Sequence, residues 1–277
     1  MRIARPLPMA RAEHPRAPDA GGAAYTQPTP RLLYVHDDLS DEVSRRFGAA
    51  SAGAALVRRL FDVLAQDRDR VRVLTLAEQL DRVLAQGPHA PFDQAVGIGR
   101  AGEGVAQALH ARAGWFPRVH RVGLTREEDG RGAYHLVSTE PASLAIQLER
   151  LGDCRSLAVV DDTVFSGLTM RSVLEALPAS LLSRSHAFCL RGVAASIADI
   201  ATLCPITAGV AALGRLLDEV SFINASGLVL RISIRRRGQP PLAFFDRPEW
   251  IRAWFPGVHG EVLALCRRLN ALLEGSG

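Results

Sequence analysis

Lysine is absent from all 277 residues, so each of the 33 basic side chains is an arginine. That excludes a Schiff-base lysine, a lysine general base and a Walker-type phosphate loop, which needs Lys after its second glycine. Cysteine is scarce: Cys154, Cys189, Cys204 and Cys266 form no CxxC pair, and each lies in or beside an apolar run such as Phe188-Cys189-Leu190. Buried free thiols fit this pattern better than disulfides or zinc ligands. No apolar stretch approaches the ~20 residues of a membrane span. The N-terminus lacks the apolar segment of a secretory signal. The eight histidines show no HxH or HExxH spacing, and His36, beside Asp37-Asp38, reads as part of a surface turn. A reducing, cytoplasmic compartment is the expectation.

What is present points to a globular core. Hydrophobic residues make up 48% and charged residues 22%, and the net charge is +4, with a sequence pI of about 9.2. A charge this small does not argue for nucleic acid, whereas arginine suits bidentate pairing with the phosphate of a small anionic ligand. Residues 1–30 are rich in Pro, Ala and Gly without periodicity and read as a disordered tail. From Arg31 onward short apolar runs alternate with helical patterns. Strands are expected at Leu32–Val35, Val71–Leu74, Phe92–Ile98, Val119–Leu124, Ser156–Val160, His186–Val193 and Gly227–Arg235. Helices are expected at Gly53–Ala65, Leu76–Ala85, Gly104–Arg112, Pro141–Leu151, Thr169–Leu177 and Val258–Leu273. Such alternation predicts an α/β protein, a Rossmann-like, mainly parallel sheet with helices on both faces. The expected organisation is a tail at 1–30, an N-terminal flanking segment at 31–91, a core at 92–236 and a C-terminal closing segment at 237–277.

The most informative segment runs Leu157-Ala158-Val159-Val160-Asp161-Asp162-Thr163-Val164-Phe165-Ser166-Gly167-Leu168-Thr169. An apolar strand delivers two carboxylates at its C-terminal end, and a hydroxyl, a glycine and a second hydroxyl then enter a helix. In an open α/β sheet this edge is where ligands bind. A helix start offers free N–H groups and the positive end of the helix dipole, which suits a phosphate. Gly167 would let the backbone approach such a phosphate, and Ser166 and Thr169 could donate to it. Asp161 and Asp162 could accept from sugar hydroxyls or hold Mg²⁺ through water. A bare DD turn with Ser166 as an ordinary helix N-cap is the plain alternative.

These thirteen residues resemble the phosphoribosyl-pyrophosphate (PRPP) motif of type I phosphoribosyltransferases: four apolar residues, two acids, a variable stretch, then Ser or Thr, Gly, any residue and Thr. The resemblance covers about residues 92–236. It implies that family's core with flanking hood elements, and Mg²⁺-dependent transfer of phosphoribosyl from PRPP to a nitrogenous heterocycle with release of pyrophosphate. It places Asp161 and Asp162 on the ribose hydroxyls and on Mg²⁺, with Thr163, Val164, Phe165, Ser166, Gly167, Leu168 and Thr169 around the 5-phosphate. In 6-oxopurine members an aspartate just before the Thr-Gly acts as general base. Here that position is Phe165, which disfavours such acceptors and leaves the acceptor open.

A second turn, Val96-Gly97-Ile98-Gly99-Arg100-Ala101-Gly102-Glu103-Gly104, contains GxGxxG between a strand and a helix, as dinucleotide sites do. The ribose-binding acid expected ~20 residues on is missing, because residues 117–126 hold no carboxylate. By resemblance Gly99, Arg100, Ala101 and Gly102 form the pyrophosphate loop, where the family often has a strained or cis peptide. Arg100 would pair with the leaving group, and the plain alternative is a glycine-rich connection with a solvated arginine. Thr125–Gly132 sits where the family has a mobile loop, so Arg126 or Arg131 would reach the pyrophosphate, a solvated hairpin being the plain alternative. Arg235-Arg236-Arg237 reads as a solvated edge or a phosphate contact, and Phe244, Phe245, Trp250 and Trp254 as core or as a base-stacking hood. Two further functions stay open, a non-catalytic PRPP- or nucleotide-binding regulator and an NAD(P)-dependent oxidoreductase using Gly97, Gly99 and Gly102. The expected partners are PRPP and a small heterocycle, without membrane or nucleic acid, and a homodimer is compatible with the sequence.

Overall fold

The computed structural model describes residues 29–87, 89–128, 134–235 and 239–275. In chain order the elements are β1 (Leu32–Asp37), α1 (Ser40–Phe47), α2 (Ala52–Leu64), β2 (Val71–Thr75), α3 (Leu76–Leu84), β3 (Gln94–Ile98), α4 (Gly99–Ala113) and β4 (Val119–Val122). The antiparallel pair β5 (Leu124–Glu128) and β6 (Tyr134–Ser138) follows, then α5 (Leu144–Glu149), β7 (Leu157–Val164), α6 (Leu168–Glu175), α7 (Ala179–Leu182), β8 (Ser185–Val193), α8 (Ala194–Ala201) and β9 (Ile206–Ala212). The chain closes with β10 (Val220–Asn224), α9 (Ala225–Val229), α10 (Pro248–Trp254) and α11 (His259–Glu274).

The larger sheet is parallel throughout, in the order β4-β3-β7-β8-β9. Its strands are apolar on both sides because both sides are covered. Leu157 and Val159 of β7 face the layer of α5, α6 and α8, with Leu148, Met170, Leu174 and Ile200. Ala158 and Val160, of opposite parity, face α3 and α4 through Leu80, Val83, Val105 and Leu109. The expected mainly parallel α/β architecture is what the chain adopts.

A second parallel sheet, β10-β1-β2, brings the first two strands of the chain beside the last. Leu33 and Val35 of β1, Val71 of β2 and Ile223 of β10 pack into one core with α1, α2, α9, α10 and α11. Trp250, Trp254 and Phe245 are buried there, and Phe244 packs against it with its ring 5.1 Å from Trp254. The C-terminal aromatics therefore serve as core. Residues of the other parity, Tyr34, His36, Phe222 and Asn224, lie on the opposite face of this sheet, and Tyr34 and Phe222 pack against Val193 and Phe165 of the larger unit.

Some boundaries differ from expectation. The strand read at 227–235 is absent: residues 227–229 belong to the short helix α9 and 230–235 are irregular, while the strand is the preceding Val220–Asn224, which pairs with β1. A short apolar run fits either period, so only its pairing decides. Strand β7 continues through both aspartates to Val164 rather than ending at Val160. Residues Thr125–Glu128 form strand β5 and pair with β6, where a polar loop was expected. The tail at residues 1–28 and the loop residues Asp129–Ala133, Arg131 included, lie outside the described residues, as do Arg236 and Arg237. Among the described residues no helix is long and apolar enough to cross a membrane. All four cysteines are free and buried, as expected.

Candidate functional site

The end of β7 and the start of α6 form one continuous turn. Gly167 takes a left-handed φ of 75° and is the N-cap of α6, with no side chain capping the helix start. An L side chain is strained at that φ, so the glycine allows the turn and leaves the first N–H groups of α6 without a capping side chain. Ser166 is therefore not the N-cap. Arg126, Asp161 and the run Thr163–Met170 line one pocket at this turn. Arg126 reaches it from β5, with its guanidinium carbon 5.3 Å from the centre of the Phe165 ring. Phe165 in turn meets Phe222 of the second sheet edge-on at 5.8 Å.

The glycine turn after β3 lies against the same strand end. Gly99 has a φ of +62°, and α4 begins there. A Cβ on Gly102 would stand 2.4 Å from the Val160 carbonyl oxygen and 3.2 Å from Asp161 Cα, and one on Gly97 would stand 2.3 Å from the Glu103 backbone. These two glycines let α4 rest directly on β3 and β7. Arg100 and Ala101 are exposed in the first turn of α4, and neither lines the pocket at 163–170. Every described peptide bond is trans, and the chain reverses at Gly99 with its positive φ. Residues 99–102, expected as a loop ahead of a helix at Gly104, are instead the first turn of α4; that helix start lies beside the turn at 163–169, and Arg126, but not Arg100, reaches the pocket.

Asp161 and Asp162 are adjacent on a strand, so they point to opposite faces and meet different surroundings. Asp161 borders the pocket, and its Oδ1 accepts from the Asp162 amide at 2.8 Å. Burial, followed by the charge of Asp162, pushes its carboxyl well above the usual range. Asp162 is the pair's stable anion. Burial is the largest influence on it and would raise it, yet the Arg191 guanidinium, His36 and its hydrogen bonds together hold it below the usual value. Its Oδ2 accepts from Arg191 Nη2 at 3.0 Å, Thr163 Oγ1 at 3.1 Å and Asn224 Nδ2 at 3.4 Å. The Asp161 side chain also hydrogen-bonds the Asp162 carboxylate.

Arg191, on β8, is fully buried and was not singled out from the sequence. Its Nη1 donates to Gln79 Oε1 at 3.0 Å, and its Nη2 also donates to Asn224 Oδ1 at 2.6 Å. Arginine has only donors, so the Gln79 oxygen must face it, which turns the Gln79 amide nitrogen to His36 Nδ1 at 2.7 Å. Nδ1 therefore accepts, and the imidazole is neutral with its proton on Nε2. Burial, then the charge of Arg191, lowers its pKa to about 4. His36, 6% exposed, is no surface turn. Beside it Asp38 accepts from the Ser226 amide at 2.8 Å and hydroxyl at 2.5 Å, and burial raises its carboxyl. The sequence did carry one clue to this network, an arginine inside the apolar strand Phe188-Cys189-Leu190-Arg191-Gly192-Val193, because a buried charge needs a partner.

Among the described residues no group of three or more His, Cys, Asp or Glu side chains could hold a metal ion. Asp161 and Asp162 offer hard carboxylate oxygens of the kind Mg²⁺ prefers, so they fit a cation whose other ligands are substrate oxygens and water.

No family model and no curated protein matches the chain. Among solved structures the chain is similar to a purine phosphoribosyltransferase from Pyrococcus horikoshii, with 17% identity and a TM-score of 0.34, covering 54% of this chain and 90% of that one. It is similar to the xanthine-guanine-hypoxanthine phosphoribosyltransferase of Helicobacter pylori, with 16% identity and a TM-score of 0.34, covering 53% and 86%. It is also similar to protein TT1426 from Thermus thermophilus, with 16% identity and a TM-score of 0.33, covering 48% and 80%. At these scores the likeness carries no functional weight, and what the site can do is read from its own residues.

Proposed function

We propose that the chain transfers a phosphoribosyl group from PRPP to a nitrogenous heterocycle and releases pyrophosphate. The observation that carries this reading is the turn at 163–169, with its left-handed Gly167, its uncapped helix start and Arg126, set against the Gly99–Gly102 turn at the end of one strand. The N–H groups at the start of α6 and the Arg126 guanidinium would hold the 5-phosphate. Asp161 and the Oδ1 of Asp162 would accept from the ribose hydroxyls. The amides at Gly99–Gly102, with Arg100, would bind the pyrophosphate. Asp161 and Asp162 would hold Mg²⁺ through water, and the cation, when bound, neutralises phosphate charge.

Cleavage of the bond from the anomeric carbon to pyrophosphate sends the electron pair to the leaving group. The acceptor's ring nitrogen forms the new bond and gives up its proton to water. Side chains have little acid–base work in such a step, and the chain's contribution is positioning and electrostatic stabilisation. Phe165, where an acid would act on a 6-oxopurine, contacts Arg126 and Phe222 and offers no base. Strand β4 ends at Val122 and is followed by Gly123, so the acid that a dinucleotide ribose would need is missing there.

The test is calorimetry of PRPP with Mg²⁺ on the wild-type protein and on the double variant Asp161→Asn, Asp162→Asn. The folded double variant is expected to lose binding, and unchanged affinity overturns the assignment. A panel of nucleobases and related heterocycles, scored by pyrophosphate release, then identifies the acceptor. PRPP binding without turnover of any acceptor would point to the regulator instead.

A further inference from the structure

The geometry points to Arg191 as a positioning residue that builds the sugar site jointly from both sheets. The inference rests on the PRPP reading. Arg191 lies on β8, beside β7, and its fork grips three side chains from three different elements: Asp162 of β7, Gln79 of α3 and Asn224 of β10. Asn224 closes the triangle by donating to the same Asp162 oxygen that Arg191 grips. A carboxylate held at one oxygen by three donors cannot rotate, so its other oxygen keeps a fixed bearing.

The second sheet is thereby part of the site. Asn224 stands at the C-terminal end of β10 and His36 at that of β1, and these parallel strands are paired there in register. Both project from the face turned toward the larger sheet. Gln79 is anchored in turn, its amide nitrogen donating to the Thr75 carbonyl at 2.9 Å and to His36. The contacts Arg191–Gln79 and Arg191–Asn224 span 112 and 33 residues of chain, so the carboxylate is oriented only once both sheets have formed. A buried arginine kept only for stability would be replaceable by an apolar side chain of similar volume. Here its Nε is buried with no hydrogen-bond partner among the described residues, while both terminal nitrogens are aimed at the ribose-site carboxylate and its supports. Such an allocation favours orientation over cohesion.

The two halves of the substrate rest on different supports. Arg191 supports the diol site, whereas the Gly99–Gly102 helix start is held by the close packing of Gly102 against Val160 and Asp161 of β7. The experiment measures binding of ribose 5-phosphate and of inorganic pyrophosphate, each without added Mg²⁺ so that the Asp162 carboxylate acts on the sugar alone, to wild type, Arg191→Lys, Arg191→Met and Asn224→Ala. Arg191→Lys keeps the charge but not the planar fork. Ribose 5-phosphate affinity is expected to fall roughly 10-fold in Arg191→Lys and Asn224→Ala and roughly 100-fold in Arg191→Met, the range for outer supports of a ligating carboxylate. Pyrophosphate affinity is expected to stay within about twofold. Equal losses for both ligands, or full ribose 5-phosphate affinity in Arg191→Lys, overturn the positioning role. Should Arg191→Met fail to fold, the lysine and Asn224 variants decide between the same two outcomes. A wild-type protein that binds neither ligand overturns the PRPP reading itself, and the proposal with it.

Discussion

Replacing Gly102 by alanine probes the contact that joins the two turns. The added Cβ would sit 2.4 Å from the Val160 carbonyl oxygen, about 1 Å short of ordinary contact at 3.4 Å. Both partners are backbone, one in the first turns of α4 and the other in the middle strand of a parallel sheet, so no side chain can swing away. Helix and strand must part by about 1 Å, an overpacking that costs roughly 1–3 kcal/mol, or roughly 2–10 °C of melting temperature for a chain of this size. The same shift moves the Gly99–Gly102 turn away from Asp161, and about 1 Å of misplacement costs on the order of 100-fold in turnover. Gly104, two residues further along the same helix, is the internal control: it is exposed, and a Cβ there meets nothing within 4 Å. Alanine at 104 removes only the helix-interior penalty of glycine and is expected to stabilise by about 0.5–1 kcal/mol. Calorimetric unfolding of the two variants beside wild type reads opposite signs. A Gly102→Ala protein as stable as wild type would refute the close docking of α4 on β7, and with it the juxtaposition of the two turns.

The two aspartates should respond oppositely to substitution. Asp162→Ala leaves the buried Arg191 without its counter-ion and is expected to cost about 3–5 kcal/mol, whereas Asp161→Asn removes a carboxyl that burial already disfavours and should be neutral or stabilising at pH 7 by urea denaturation. Equal losses in the two would contradict the division of roles drawn from their surroundings. His186, stacked on Phe188 at 4.5 Å, has its pKa lowered to about 4 by burial, with a smaller push from His89. Because the folded value lies below the unfolded value near 6.5, this stabilisation is complete above pH 6.5 and is lost as pH falls toward 4. The slope is at most about 1.4 kcal/mol per pH unit, and His186→Gln should be correspondingly flatter over that window in a pH series of melting curves. An unchanged slope would show that His186 is not buried in its neutral form.

Much of the larger sheet was legible because its cues are local. Apolar runs of strand length, glycines at turns and hydroxyls before a helix each act within a few residues, and β3, β7, α6 and β8 fall close to where those cues put them, whereas α4 starts at Gly99 rather than Gly104. Even there, continuation of β7 through Asp161-Asp162 was not legible, since the strand is extended only by the pairing of Asp161 with Cys189 and of Thr163 with Arg191 on β8. His36, read as a surface residue from its acidic neighbours, is buried because a second sheet covers it. Gly227–Val229 was read as strand from apolarity alone, and its helical turn follows from packing beneath α11 and the Phe244–Asp246 turn.

By itself the sequence determined the alternation of strands and helices, the glycine turns, and the thirteen-residue run ending in Ser166-Gly167-Leu168-Thr169, because short-range sterics and hydrogen-bonding capacity suffice for these. Only the tertiary structure decided that the first two strands and the last close into one sheet, that Asp161 faces the pocket while Asp162 pairs with Arg191, and that Arg126 rather than Arg100 borders the turn at 163–169. Those outcomes depend on which distant groups come to share one desolvated volume, where a charge persists only beside a partner brought there by the fold.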